Sequence, residues 1–231
     1  MSDLYLCLDT STPTARVAVL DGAGQTRFAA EATADRHAGH LLPLCAEALR
    51  AAGTTVAELA GIACGGGPGS FTGLRVGLAA AKGLALPTGV PLYVVSSLEA
   101  LALDVVQAAP PGLGTAIPCL DAGKGEVYVA GYVADPARLV RETVVSARLT
   151  PSALGAWLAP LPSPVLAGNG VARHRAALGT LAIAEIAGPT AISVGRLALL
   201  QRARGEAADL ASAVPFYGRP PDITVKRSDP K

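Results

Sequence analysis

The sequence is poor in charge, in aromatic residues and in cysteines close enough to act together. Charged residues make up 16% of the 231 residues and the net charge is +1, so the chain offers little electrostatic basis for binding nucleic acid alone. The four cysteines are far apart, with no C-x-x-C pair and no secretory leader before them, which argues against disulfide and zinc sites. We expect buried thiols in a reducing compartment, and therefore a cytoplasmic protein.

Long apolar runs are also missing, although hydrophobic residues make up 51% of the chain. No run reaches the length of a membrane span, so we expect no membrane contact. A surface with so little charge leaves apolar area that a monomer would expose to water. The composition therefore predicts self-association or a permanent partner, and the length favours two domains over one.

The most informative segment is a glycine-crowded turn that leads into a predicted helix over residues 71–86. Gly65 to Gly73 read GGGPGSFTG. Amides at a helix start favour an anion, yet the segment lacks the lysine of a P-loop, and Thr72 replaces the third glycine of G-x-G-x-x-G. A phosphate loop and a purely structural turn both stay open. The phosphate contacts would be Thr10, Ser11, Gly67, Gly69, Ser70 and Thr72.

The predicted helix carries small residues at one-turn spacing. Glycine inside a helix costs about 1 kcal/mol relative to alanine, so Gly73 and Gly77 indicate the close approach of another backbone. That backbone belongs either to the chain's own sheet or to a partner's helix. A second helix predicted over residues 39–52 has its own apolar side. Together the two helices predict a partner-binding face made of His37, Leu41, Leu42, Cys45, Gly73, Leu74, Gly77, Ala80, Ala81 and Leu84.

The predicted elements follow the same order twice along the chain. Three antiparallel strands precede helix, strand, helix and strand, and a second series opens near residue 115. The first strand of each series ends in an aspartate, Asp9 and then Asp121. We predict an α/β fold of two lobes, 1–108 and 109–231, each a mixed β-sheet with helices, in the layout of the actin, hexokinase and Hsp70 (ASKHA) superfamily. Residues from about 207 onward would return to the N-terminal lobe.

Asp9 and Asp121 are the candidate catalytic acids, because carboxylates at these strand ends orient metal or water in that superfamily. They allow one alternative function, a small ATP-dependent kinase or ATPase. Against it, an aspartate beside a Thr-Ser-Thr turn commonly binds backbone amides. His37 and His40 are three residues apart and Leu41 cannot bind metal, so no metal site is expected. We expect no required cofactor, with weak ATP or ADP binding as the alternative.

The chain resembles the TsaB (YeaZ) family. The resemblance rests on the LDTST string at residues 8–12, His37 ahead of LLP, the GPGSFTGLR string at residues 67–75 with Gly77, SSL at residues 96–98, DA at residues 121–122 with GEVY at residues 125–128, and Pro215 with Tyr217.

This resemblance implies a non-catalytic relative of the threonylcarbamoyl transferase TsaD that pairs with TsaD through its first two helices. The pair would work with the ATPase TsaE to form threonylcarbamoyladenosine on tRNA, and tRNA would be contacted mainly through the complex. Alone, the chain would form a homodimer through the same face. The wider family was once labelled as proteases, but the sequence contains no Ser-His-Asp or zinc-binding constellation that would support a protease.

Overall fold

Two five-stranded mixed sheets organise the chain in a computed structural model that describes residues 3–33, 37–109, 112, 114–178 and 181–217. The first sheet, in the order β3-β2-β1-β4-β5, contains β1 (Leu4–Asp9), β2 (Thr14–Asp21), β3 (Thr26–Thr33), β4 (Gly61–Gly65) and β5 (Leu92–Val95). The second, in the order β10-β9-β6-β7-β8, contains β6 (Thr115–Gly123), β7 (Glu126–Asp135), β8 (Leu139–Leu149), β9 (Pro164–Ala167) and β10 (Ala182–Ile183).

Six α-helices connect and cover these strands within the described residues. They are α1 (His37–Ala51), α2 (Phe71–Ala85), α3 (Ser97–Ala108), α4 (Pro151–Leu158), α5 (Asn169–Leu178) and α6 (Ala191–Ala203). None of the helices in this part of the chain is long and apolar enough to cross a membrane.

The two halves share one topology. In each sheet the first strand pairs antiparallel with the second and parallel with the fourth, and the last helix of each half follows the fifth strand. This repetition confirms the predicted two-sheet α/β fold. The helix α3, which ends the first half, was not predicted, because it is buried on most sides and so lacks a one-sided apolar stripe.

The central strand β1 is buried along its whole length, as its nearly unbroken apolar sequence requires. One of its faces packs in a cluster with α1 and α2, where Leu6 meets Leu41 and Leu78. The other face belongs to a cluster that runs through α3 and α6 to the second sheet, and it includes Tyr5 and Leu101. The core therefore joins the two sheets through α3 and α6.

The last residues that the structure describes lie against the first sheet and its helices. We call residues 208–217 the C-terminal segment. The amide of Ala208 donates to the carbonyl of Leu92 at 2.8 Å, and Lys82 Nζ donates to the carbonyl of Ala213 at 2.7 Å. Tyr128 Oη of β7 donates to the carbonyl of Tyr217 at 2.8 Å, so the segment contacts both halves.

A carboxylate joins α3 to the start of α6. Asp104 accepts hydrogen bonds from the amide and hydroxyl of Thr190, both at 2.7 Å, and from the Ser193 hydroxyl at 2.6 Å. The Thr190 hydroxyl also caps α6 by accepting from the Ser193 amide. The helices α3 and α6 are thus connected by polar contacts as well as by apolar packing.

Replacing Asp104 tests how much this connection between α3 and α6 contributes to stability. Asp104→Ala leaves the donors of Thr190 and Ser193 unpaired, so the free energy of unfolding should fall by about 2–3 kcal/mol, measured by urea denaturation. Asp209→Ala is the matched control, because Asp209 also accepts three hydrogen bonds but at an exposed turn. Equal losses in the two variants would contradict the assigned role of Asp104.

Candidate functional site at the glycine turn and helix α2

The glycine turn connects β4 to α2 and is held by the chain's own atoms. The Gly66 amide donates to the carbonyl of Val95 at 2.7 Å, and the Ser70 amide donates to the carbonyl of Ser11 at 2.7 Å. Gly67 has φ +103°, a conformation that glycine adopts without strain, and its amide donates to Ser97 Oγ at 3.1 Å. The amides of Gly66, Gly67 and Ser70 therefore already have partners within the chain.

The predicted phosphate contacts are brought together, but in a closed arrangement. Thr10 and Ser11 are buried beneath the turn, where a Cβ on Gly69 would strike the backbone of Ser11. Ser70 caps α2 by accepting from the Gly73 amide at 3.2 Å. Thr72 lies apart from this group, exposed on the first turn of α2. This geometry favours the structural interpretation of the turn.

Asp9 is the polar centre of this region. Its fully buried carboxylate accepts from the amide and hydroxyl of Ser11, at 2.9 and 2.6 Å, and from Ser97 Oγ at 2.8 Å. Burial raises the pKa of Asp9, while the bonds from Ser11 and Ser97 act in the opposite direction. Gly65 has to be glycine, because a Cβ there would collide with this carboxylate. Asp9 therefore holds the turn together.

Asp121 occupies the equivalent strand end in the second half and has a different partner. Arg173 Nη1 lies 2.7 Å from Asp121 Oδ2, and the Gly123 amide donates to Asp121 Oδ1 at 3.1 Å. The Asp121 amide in turn donates to Asn169 Oδ1 at 3.1 Å. In the ranges that the structure describes, no group of three or more His, Cys, Asp or Glu side chains is placed to hold a metal ion.

The row of small residues on α2 that begins at Gly73 faces the chain's own loop. Thr10 Oγ1 donates to the Gly73 carbonyl at 2.7 Å. A Cβ on Gly73 would overlap the carbonyl oxygen of Thr10, and one on Gly77 would overlap its hydroxyl. The group that approaches these two glycines is therefore Thr10 of the same chain, its backbone at Gly73 and its side chain at Gly77, so neither glycine is open to a partner's helix.

Other residues of the predicted partner-binding face also lie in the core. Those with little or no exposure are Leu41, Cys45, Leu74 and Ala81, and for them the surface assignment is corrected. Ala80 and Leu84 are half-buried against the core between α1 and α2. Leu42 remains accessible at 51% exposure, while the His37 side chain lies outside the described part of the structure.

The side of α2 that points away from the core carries a different set of small residues. We call this set the outer face; its exposed members are Thr72, Ala79 and Gly83, and Val76 between them is half-buried against the core. Their spacing of about one turn places them in line along the helix. A Cβ added at Gly83 would have no atom within 4 Å. Sequence spacing predicted a small-residue row on this helix but could not say which row faces outward.

The C-terminal segment contacts the start of α2. Arg75 Nε donates to Tyr217 Oη at 2.9 Å, and the Arg75 guanidinium carbon lies 3.9 Å from the centre of the Phe71 ring. The rings of Phe71 and Tyr217 are 4.9 Å apart, and the Phe216 amide donates to the carbonyl of Gly66 at 2.7 Å. These contacts hold the start of α2, Lys82 holds its last turn, and Ala79 and Gly83 of the outer face stay exposed.

The two lobes repeat one topology, and each opens with a strand that carries an aspartate at or near its end, Asp9 and Asp121; this is the actin-, hexokinase- and Hsp70-like fold class. The family described as "TsaD: tRNA N6-adenosine threonylcarbamoyltransferase" matches residues 28–148. The sequence is also 36% identical over 131 residues to the tRNA threonylcarbamoyladenosine biosynthesis protein TsaB of Escherichia coli (strain K12). The chain belongs to the TsaB (YeaZ) family.

Other comparisons extend over nearly the whole chain. An uncharacterized protein of Mycobacterium tuberculosis (strain ATCC 25618 / H37Rv) is 33% identical over 219 residues, covering 94% of this chain and 92% of that protein. The structure of YeaZ from Pseudomonas aeruginosa matches with a TM-score of 0.79 and 29% identity, over 93% of this chain and 99% of that one. The match to the Escherichia coli protein spans 56% of this chain and 55% of the relative.

Replacing Gly73 or Gly83 of α2 by alanine should change the free energy of unfolding in opposite directions. Gly73→Ala should lower the free energy of unfolding by about 1–3 kcal/mol, because the new methyl group collides with the Thr10 backbone. Gly83→Ala should raise it by about 0.5–1 kcal/mol, because alanine favours the helix and meets nothing. Thermal and urea unfolding of both variants would check the signs, and a stable Gly73→Ala protein would refute the close approach.

Proposed function

We propose that this chain is a non-catalytic cytoplasmic subunit that binds and activates a TsaD-like threonylcarbamoyl transferase. The complex would form threonylcarbamoyladenosine on the adenosine next to the anticodon of tRNA. Family membership supports this role, as do the name of the Escherichia coli relative and the description of the matching family.

The proposal rests on a contrast between two candidate acids that already have partners and a helix surface that is exposed. The carboxylates of Asp9 and Asp121 are occupied by hydrogen bonds and by Arg173. The outer face of α2, in contrast, is exposed at Thr72 and Gly83. A chain whose candidate acids serve its own fold and whose small-residue helix faces outward is suited to docking rather than to chemistry.

The outer face determines what a partner can present. Because the side chains there are small, a helix of the partner can come close enough for backbone and side-chain packing over most of its length. Leu42 of α1 is an exposed apolar contact on the neighbouring helix. We propose that a TsaD-like helix lies along this surface and that a second copy of the chain occupies it in a homodimer when TsaD is absent.

The remaining components would act through that complex. A TsaE-like ATPase would supply nucleotide hydrolysis, and tRNA would be held mainly by the assembled complex, since the chain has a net charge of only +1. We propose that the chain itself requires no metal or nucleotide.

A bulky residue on the outer face tests the docking proposal. Gly83→Leu should weaken binding to a TsaD-like subunit by about tenfold or more, a loss of about 1.4 kcal/mol, because its side chain would separate the two helices. Gly155→Leu is the matched control, since Gly155 is also an exposed helical glycine with no atom within 4 Å of an added Cβ. Titration calorimetry with the purified subunits would measure both.

The control variant should bind like the unaltered chain, and circular dichroism should show both variants folded. Unchanged affinity in Gly83→Leu would refute the outer face as the docking surface. Equal weakening in both variants would also refute it, because the effect would then be independent of the position of the side chain.

The absence of catalysis is tested separately. Purified chain with magnesium and ATP should release no phosphate above the level of a buffer control, because Asp9 and Asp121 already have partners. The kinase or ATPase alternative would instead show turnover that disappears in Asp121→Asn, a change at a half-buried ion pair that should leave the fold intact.

A further inference from the structure

A polar cavity of about 490 Å³ lies between the start of α3, the β7–β8 hairpin and the end of α6. It is separate from the outer face of α2, and its volume is in the range of small-molecule sites, roughly 300–1,000 Å³. Its lining combines apolar side chains such as Leu98 and Val140 with charged groups of both signs, among them Glu99, Arg138 and Glu142. The family resemblance and the proposed docking role leave these charges unexplained.

The carboxylates of Glu99 and Glu142 both line the cavity. Glu99 is half-buried and Glu142 is exposed, and in the described ranges neither carboxylate takes part in a direct hydrogen bond or ion pair. Arginines of the same lining do have partners: Arg141 lies 3.5 Å from Asp135 and Arg204 lies 3.2 Å from Glu206. A half-buried carboxylate without a direct hydrogen bond, as at Glu99, is less favourable than a paired one, so a ligand group that pairs with it would be stabilised.

The protonation behaviour of Glu99 agrees with this geometry. Burial raises the pKa of the Glu99 carboxyl, and the nearby Glu142 carboxylate raises it further, whereas Arg204 and Arg138 act in the opposite direction. A ligand cation placed between the two carboxylates would offset both the burial and their mutual repulsion. The side of the cavity that carries Glu99 and Glu142 is therefore suited to an ammonium group.

The opposite charge is supplied at the rim. Arg138 is exposed, and its guanidinium has no ion pair among the described residues. The next residue, Leu139, has φ +67°, a left-handed conformation that costs a leucine about 1–2 kcal/mol. This conformation occurs at the end of the turn that joins β7 to β8, and it lies between Arg138 and Val140, both of which line the cavity.

We propose that this cavity binds a small zwitterion of the α-amino acid class. Its ammonium group lies between the carboxylates of Glu99 and Glu142, and its carboxylate contacts the guanidinium of Arg138. The apolar part of the lining receives the ligand side chain. This inference goes beyond the docking role, because it concerns a different surface and needs no partner protein.

The first experiment is a thermal-shift screen of the full chain against each standard amino acid at millimolar concentration. At least one should raise the melting temperature. Calorimetry then compares the strongest ligand with the amine that lacks its carboxylate and the acid that lacks its ammonium group. The zwitterion should bind at least about tenfold more tightly than either analogue, because each lacks one charge pair. No response to any amino acid, or equal binding of an analogue, would overturn the proposal.

Variants then locate the site. Glu99→Gln and Arg138→Gln should each weaken binding of the same amino acid by about tenfold or more. Glu185→Gln, an exposed change outside the cavity, should have no effect. Unaltered binding in both cavity variants would overturn the assignment. Both should still bind a TsaD-like subunit normally, so failure here is distinguishable from failure of the docking proposal.

Discussion

The rest of the structure depends on one buried carboxylate, that of Asp9. It accepts hydrogen bonds from Ser11 in its own loop and from Ser97 at the start of α3, and Ser97 also accepts from the Gly67 amide. Three segments that are distant in sequence therefore meet at one charge. A buried carboxylate persists only when its oxygens are satisfied, so the surrounding loops have little freedom to rearrange around a ligand.

The orientation of α2 follows from this arrangement. With the loop after β1 fixed, the Thr10 hydroxyl bonds to Gly73, and Gly77 admits the same side chain. The Gly73 row of the helix then faces inward, and Thr72, Ala79 and Gly83 are left exposed to solvent. The buried loop after β1 thus determines which side of α2 faces outward.

Sequence reasoning predicted the elements with strong periodicity and failed where tertiary contacts decide. The alternation in β2 and the unbroken apolar run of β1 were sufficient to predict the antiparallel start, and the repeated Asp9 and Asp121 strand ends indicated the two lobes. Spacing showed that α2 carries small residues, but Gly73 and Gly83 look equivalent until the position of Thr10 is known. The cavity charges are dispersed from Glu99 to Glu142, so no local motif could predict them.

The central claim, that the outer face of α2 is a docking surface held by a non-catalytic core, is tested most directly by hydrogen–deuterium exchange. The chain would be measured alone and with a TsaD-like subunit. The account predicts slower amide exchange along α1 and α2 in the complex, with the β7–β8 hairpin unchanged. Protection confined to the second sheet, with α2 exchanging as in the free chain, would contradict it.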